Sequence, residues 1–320
     1  MKKLIIFGSL MLSSVLLAQN EAKQLTPKWE KGLVSEYMGS YSYIGHDDNE
    51  NDIRTQQRFN LNFEVVQDEK EQYIIRSLVP NFVLLEVLEL SNNGKADFSV
   101  FKEVNIYYSY NKSTGAINLL NWENLKEIYT ESKAEMSKYA QHYPQKLMKL
   151  DGMFIVLDAK FDNQKTVTKL YTEQINWFTS FFKKNFSENK SFTTSTGIIN
   201  PFFNDENLKV SAKNTVNEIN KEDKSFSYTK TFTIKDSYYK YKLEEYLKTK
   251  ENKKLISEKE KQQLSKLGPT SYSPNFVENH TINYETTLPI SFKIDYILEE
   301  TSTNKAVKTY KKSITLIQKK

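Results

Sequence analysis

The chain has 320 residues with 38% hydrophobic and 13% aromatic content, 45 basic against 40 acidic residues, and no cysteine. That much apolar material can build a sizeable core, which argues against disorder, and the lack of cysteine excludes disulfide staples, thiol chemistry and a lipid-modified cysteine. Arginine occurs only at Arg54, Arg58 and Arg76, so the basic excess is diffuse lysine balanced by acids, a solvated surface and not a nucleic-acid footprint.

Lys2 and Lys3 precede an uncharged, mostly apolar stretch from Leu4 to Leu17, after which Ala18 leads into the polar Gln19, Asn20, Glu21 and Lys23. This order predicts a secretory signal peptide over residues 1–18, although Leu16 stands where a small residue usually precedes the cut. The stretch is shorter than the roughly 20 residues a membrane span needs. The mature chain is therefore expected in the periplasm or outside the cell, not as a lipoprotein. No membrane span is expected after the signal is removed, since the most apolar later run, Met153 to Leu157, is far too short.

From Leu33 to Leu120 the dominant period is two. Tyr37, Gly39, Tyr41 and Tyr43 share one face, and Phe59, Leu61, Phe63 and Val65 alternate with Asn60, Asn62 and Glu64. Tyr73 to Val79 and Val104 to Tyr110 follow the same rule, which predicts antiparallel strands with one buried and one wet face. Turn residues separate them at 45–52, 67–71, 91–94 and 111–115, the last closing a hairpin that runs to Leu120. At Asn121, a candidate N-cap, the period becomes helical: Trp122, Leu125, Ile128, Tyr129, Met136 and Tyr139 form an apolar stripe. Pro144 ends that run, and Gln145 to Ala159 reads as a second helix. Gln164 to Lys184 is a third and the most amphipathic, with Val167, Leu170, Tyr171, Ile175, Phe178, Phe181 and Phe182 at three- and four-residue steps.

Residues 187–207, rich in Ser, Thr, Asn and Gly, mark a candidate boundary between a part at 19–190 and a part at 191–320, which could equally form one continuous domain. Strand patterning resumes at Ser225 to Ile234, where Phe226, Tyr228, Lys230 and Phe232 alternate with smaller polar residues. A charged helix is predicted from Asp236 to about Asn252, and a capped one from Ser257 to Gly268. Three strands close the chain: Thr281 to Thr287, Ile290 to Glu299 and Lys305 to Ile317. The predicted fold class is α+β, with a large antiparallel sheet packed against amphipathic helices. Both parts run strands then helices, which suggests two related halves.

Candidate chemistry is sparse. The acidic run Asp47 to Asp52 fails as a calcium loop, because Asp52 stands where the sharp turn needs glycine and Arg58 where a bidentate glutamate is needed. His46, His142 and His280 lack metal-site spacing, and neither a metal nor a cofactor is expected. There is no nucleophile elbow, P-loop or glycine-rich dinucleotide loop.

The hairpin of Asn111 to Trp122 with its paired helices, and the stretch Gly197-Ile198-Ile199-Asn200-Pro201-Phe202-Phe203, resemble exported proteins of unknown function in Bacteroidota. That resemblance implies no activity. A sheet curled about helices is also similar in architecture to periplasmic lipoprotein-carrier half-barrels, which implies acyl chains held on a concave face.

The expectation is an exported, non-enzymatic envelope protein that binds a lipid or other apolar ligand, or a partner protein, with Trp177, Phe178, Phe181 and Phe182 as ligand-binding residues. An envelope assembly factor, which needs an unpaired sheet edge or apolar patch, is the first alternative. A hydrolase of envelope polymers, which needs a cleft with convergent carboxylates or a histidine, is the second.

Overall fold

Strict period-two alternation sends successive side chains to opposite faces, and this chain uses it to build one wide sheet. The computed structural model describes residues 23–46, 52–81, 103–142, 144–182, 185–186, 191–199, 207–234, 270–302 and 307–319. The N-terminal strands are β1 (Lys23–Gln24), β2 (Val34–His46), β3 (Asp52–Asp68), β4 (Gln72–Pro80), β5 (Glu103–Asn111) and β6 (Ile117–Leu119). Helices α1 (Trp122–Ala140), α2 (Pro144–Lys160) and α3 (Gln164–Thr179) follow. Then come β7 (Asn185–Phe186), β8 (Ser191–Ile199), β9 (Asn207–Asn220), β10 (Ser225–Thr233), β11 (Thr270–Asn283), β12 (Pro289–Ser302) and β13 (Lys308–Gln318).

Eleven strands make a single antiparallel sheet in the order β6-β5-β4-β3-β2-β13-β12-β11-β10-β9-β8, and β1 pairs with β7 apart from it. The last strand of the chain closes the middle of the sheet, because β13 pairs with β2 as well as β12. Register aligns the buried apolar residues of neighbouring strands on one face. Tyr108, Ile75, Leu61, Tyr37, Leu316 and Phe292 are all buried and mark it from β5 to β12. The opposite face carries polar residues such as Asn60, Asn62 and Lys293.

That inner face is concave. Tyr73 on β4 donates its hydroxyl to the Pro27 carbonyl at 3.4 Å, and the next amide, Lys28 N–H, donates to Thr287 Oγ1 beyond β11 at 3.2 Å. Strands β4 and β12 lie four spacings apart, ~19 Å in a flat sheet, so bridging them through one dipeptide requires the sheet to curl. Trp29 fills the hollow, its ring 5.1 Å from Phe63, 5.4 Å from Tyr73 and 5.9 Å from Tyr110.

Three hairpin turns at the same end of the sheet share one device. Asn111, Asn220 and Asn283 each accept, through Oδ1, the amides two and three residues on. Each is followed four residues later by a left-handed residue: Gly115 (φ 73), Lys224 (φ 52) and Thr287 (φ 55). An asparagine side chain thus winds the turn, and a positive φ returns the chain into the next strand.

Several expected boundaries move. The predicted strand Thr281 to Thr287 is the end of β11 followed by the Asn283 turn, and β11 instead begins at Thr270. It runs through Pro274, tolerated there because pairing with β10 stops at Phe276 and, among the described residues, this part of β11 is bonded to β12 alone. Strand β9 follows an alternation, Val210, Ala212, Asn214, Val216, whose third member is polar. Helix α3 stops at Thr179 and not at Lys184, so Phe181 and Phe182 lie in the turn after it. Its N-terminus is a capping box between Asn163 and Thr166. Asn121 does not cap α1: its Oδ1 accepts the Tyr107 amide and its Nδ2 donates to the Asn105 carbonyl. Residues 191–199, inside the stretch read as a boundary, form β8 of the shared sheet. The predicted turn at 91–94 and the helices of 236–268 lie outside the described residues.

Candidate functional site

Helix α3 lays its apolar stripe on the concave face. Val167, Tyr171, Ile175 and Phe178 are buried at three- and four-residue steps. Tyr108 on β5 donates its hydroxyl to the Tyr171 carbonyl at 2.7 Å, which fixes the helix against the strand. Helices α1 and α2 back this arrangement: Tyr129 stacks on Phe161 at 4.3 Å and donates to Asp158 at 2.6 Å.

The four expected ligand-binding residues come together at the end of α3, and all are buried. Phe178 stacks on Phe63 at 4.7 Å and meets Tyr37 edge-on at 5.3 Å. Phe182 contacts Phe181 at 4.6 Å, Trp29 at 5.3 Å and Tyr110 at 5.8 Å, and the Trp177 ring lies 5.1 Å from Phe292 on β12. They extend an aromatic seam that runs from Tyr110 on β5 to Tyr37 on β2, with the Trp177–Phe292 pair beyond it on β12.

Beside the seam the apolar face is interrupted by a polar row. Cross-strand register sets Asn214 on β9 opposite Lys230 on β10, and Lys230 opposite Glu278 on β11. Lys230 Nζ lies 3.2 Å from Glu278 Oε2, and His280 Nε2 lies 3.2 Å from the same oxygen. Tyr296 on β12 donates its hydroxyl to Glu278 Oε1 at 2.9 Å. The imidazole of His280 stacks flat on Tyr228 at 4.6 Å and lies 6.0 Å from Phe292, which joins the row to the seam. Lys230 Nζ also sits 4.4 Å over the Phe232 ring, a cation–π contact.

Burial alone would raise the Glu278 carboxyl above its ordinary range. The Lys230 charge, then the hydrogen bond and charge of His280 and the hydrogen bond from Tyr296, outweigh burial and hold it down at about 2. The carboxylate is therefore ionised and offsets the Lys230 charge beside it. Asn214 is fully buried, donates to Thr194 Oγ1 at 3.2 Å, and has an Oδ1 without a hydrogen-bond partner. Lys230 and Glu278 each keep 10% of their side-chain surface accessible, while neighbouring Phe276 and Leu298 keep none.

Neither Lys230 nor Glu278 was among the expected site residues. The signal was a lysine in phase with Phe226, Tyr228 and Phe232, and a Glu-x-His step in phase with Phe276 and Ile282. Charged residues at inward positions of a strand need partners, and here they supply each other. The histidines occupy three separate settings: His46 beside Asp52 at 3.3 Å, His142 exposed just after α1, and His280 in the row.

No family model matches this chain, and no curated protein matches it. Among solved structures it is similar to one described as lipid-protein interactions in lipovitellin, with 10% sequence identity and a TM-score of 0.45. The match covers 92% of this chain but 26% of that one, so the chain spans about a quarter of the length of the structure it matches.

Proposed function

We propose that the chain is an exported, non-enzymatic cell-envelope protein that binds an apolar or amphiphilic ligand against the concave face of its sheet. One observation carries this reading: an aromatic seam and a polar row built on a paired lysine and glutamate lie side by side on that face. A molecule with an apolar body and a hydrogen-bonding end matches both surfaces. Trp177, Phe178, Phe181 and Phe182 are packed on other rings of the seam, so the apolar part would enter by displacing Trp29 and parting those contacts, and the row of Asn214, Lys230 and Glu278 would take the polar end. A buried, internally paired charge favours a neutral end over a net-charged one, since an added ion would remain uncompensated. Export rests on the charge, apolar core and small-residue order of residues 1–18.

The test is mass spectrometry of the protein purified from a bacterial periplasm, first under native conditions and then after organic extraction. Near-stoichiometric co-purification of an acyl or other apolar molecule on a chain that starts near residue 19 is the expected result. A clean apo mass over repeated preparations would remove the ligand reading, and an intact Met1 in the periplasmic fraction would remove the cleaved-signal reading.

A further inference from the structure

The two ends of the sheet are finished differently. At one end β6 is only three residues long, and the bonding groups of β5 beyond it are taken up locally. Leu120 N–H donates to the Tyr107 carbonyl at 2.8 Å, and the Asn121 side chain bonds the Tyr107 amide and the Asn105 carbonyl. Only the three residues of β6 are left to form that edge. At the other end β8 presents nine residues, Ser191–Ile199, paired to β9 on one side and to no other strand among the described residues. Its sequence, Ser-Phe-Thr-Thr-Ser-Thr-Gly-Ile-Ile, contains no charge and no proline, the usual devices that blunt an edge.

We propose that β8 is the pairing edge of a symmetric dimer, in which two copies of this chain join antiparallel about Ser195. The strand is complementary to itself in that register. A two-fold axis at Ser195 sets position 192, a phenylalanine, opposite position 198, an isoleucine, and does so twice. It also sets the threonine positions 194 and 196 opposite each other twice. Aromatic–β-branched and Thr–Thr pairs are both favourable across antiparallel strands, and no like charges meet. An axis perpendicular to the sheet keeps the two inner faces on the same side, so the concave surfaces run on into each other. A strip ~30 Å long is small for a protein interface. The dimer therefore forms reversibly at micromolar concentration, and it stands whether or not the ligand reading holds.

The chain lacks cysteine, which permits a clean test. Residue 195 would face its own copy at about 4.5–5.5 Å between Cα atoms, within disulfide range. Residue 191 would lie about 27 Å from its own copy. The Ser195→Cys protein should cross-link to a dimer under mild oxidation, and Ser191→Cys should not. Sedimentation between roughly 5 and roughly 100 μM should show a concentration-dependent dimer. Ser195→Lys, which sets two ammonium groups opposite each other only in the dimer, should weaken it at least about tenfold without changing the circular dichroism of the monomer. A monomer throughout that range, equal cross-linking at 191 and 195, or a dimer that Ser195→Lys leaves intact would each overturn the proposal.

Discussion

Replacing Glu278 with glutamine keeps the shape of the side chain and two of its hydrogen bonds but removes the anion. Lys230 then stays buried in an apolar face with its charge uncompensated. Breaking a buried pair by removing one partner costs about 3–5 kcal/mol. The carboxyl gives a similar figure: its shift from 4.5 to about 2 corresponds to about 3 kcal/mol at 1.36 kcal/mol per pH unit. A depressed carboxyl contributes stability that is present above its unfolded value of 4.5 and lost as pH falls toward about 2. Urea unfolding, followed by tryptophan fluorescence and far-ultraviolet circular dichroism, should therefore show Glu278→Gln destabilised by about 3 kcal/mol at pH 7. The gap to wild type should narrow below pH 4.5. The double variant Lys230→Met, Glu278→Gln should recover most of the loss, because no charge is left stranded. A single variant within about 1 kcal/mol of wild type, the behaviour of a surface pair, would refute the reasoning. So would a double variant that costs the sum of the two singles.

Phe178→Ala removes a ring stacked on Phe63 and set against Tyr37, and should cost about 3–5 kcal/mol in the same unfolding assay. Lys224→Gly relieves a positive φ at a hairpin turn and should stabilise by about 0.5–1 kcal/mol, since the exposed Lys224–Glu285 pair that it gives up contributes little. At Gly39 an added Cβ would stand 2.2 Å from the Phe59 ring that lies across it; Gly39→Ala should lower the melting temperature by an amount equivalent to about 1–3 kcal/mol. Asn121→Ala strands the Tyr107 amide and the Asn105 carbonyl and should raise the hydrogen-exchange rate of β5 and β6 ahead of the rest of the sheet, at a cost of about 1 kcal/mol.

The sheet was readable where one face is uniformly apolar. Phe59 to Val65 announces β3 because each inward residue is aliphatic or aromatic, and Tyr73 to Val79 announces β4 because only the small Ser77 interrupts Tyr73, Ile75 and Val79. Strand β9 was not readable for the opposite reason: Asn214 breaks its apolar phase, and the partner that makes Asn214 tolerable, Thr194, is twenty residues away. The turn device was visible at Asn111 because Gly115 follows it. It was hidden at Asn220 and Asn283, where lysine and threonine take the left-handed position against their own preference. Asn121 misled for a related reason. Its composition suits a cap, but the sheet edge beside it offers two better partners than the helix does. The polar row escaped because pairing across strands depends on register, and nothing in the sequence between Thr233 and Thr270 says that Lys230 will meet Glu278.

The most direct test of ligand binding uses the buried tryptophans as reporters. Trp29 and Trp177 lie on the concave face, and Trp122 lies at the start of α1. Delipidated protein would be titrated with a bromine-labelled long-chain alcohol while tryptophan fluorescence is recorded. The account predicts saturable quenching that disappears in the Trp29→Phe, Trp177→Phe double variant, with Trp122 left unquenched. Fluorescence that stays constant through the titration, or quenching that the double variant retains in full, would contradict a ligand site on this face.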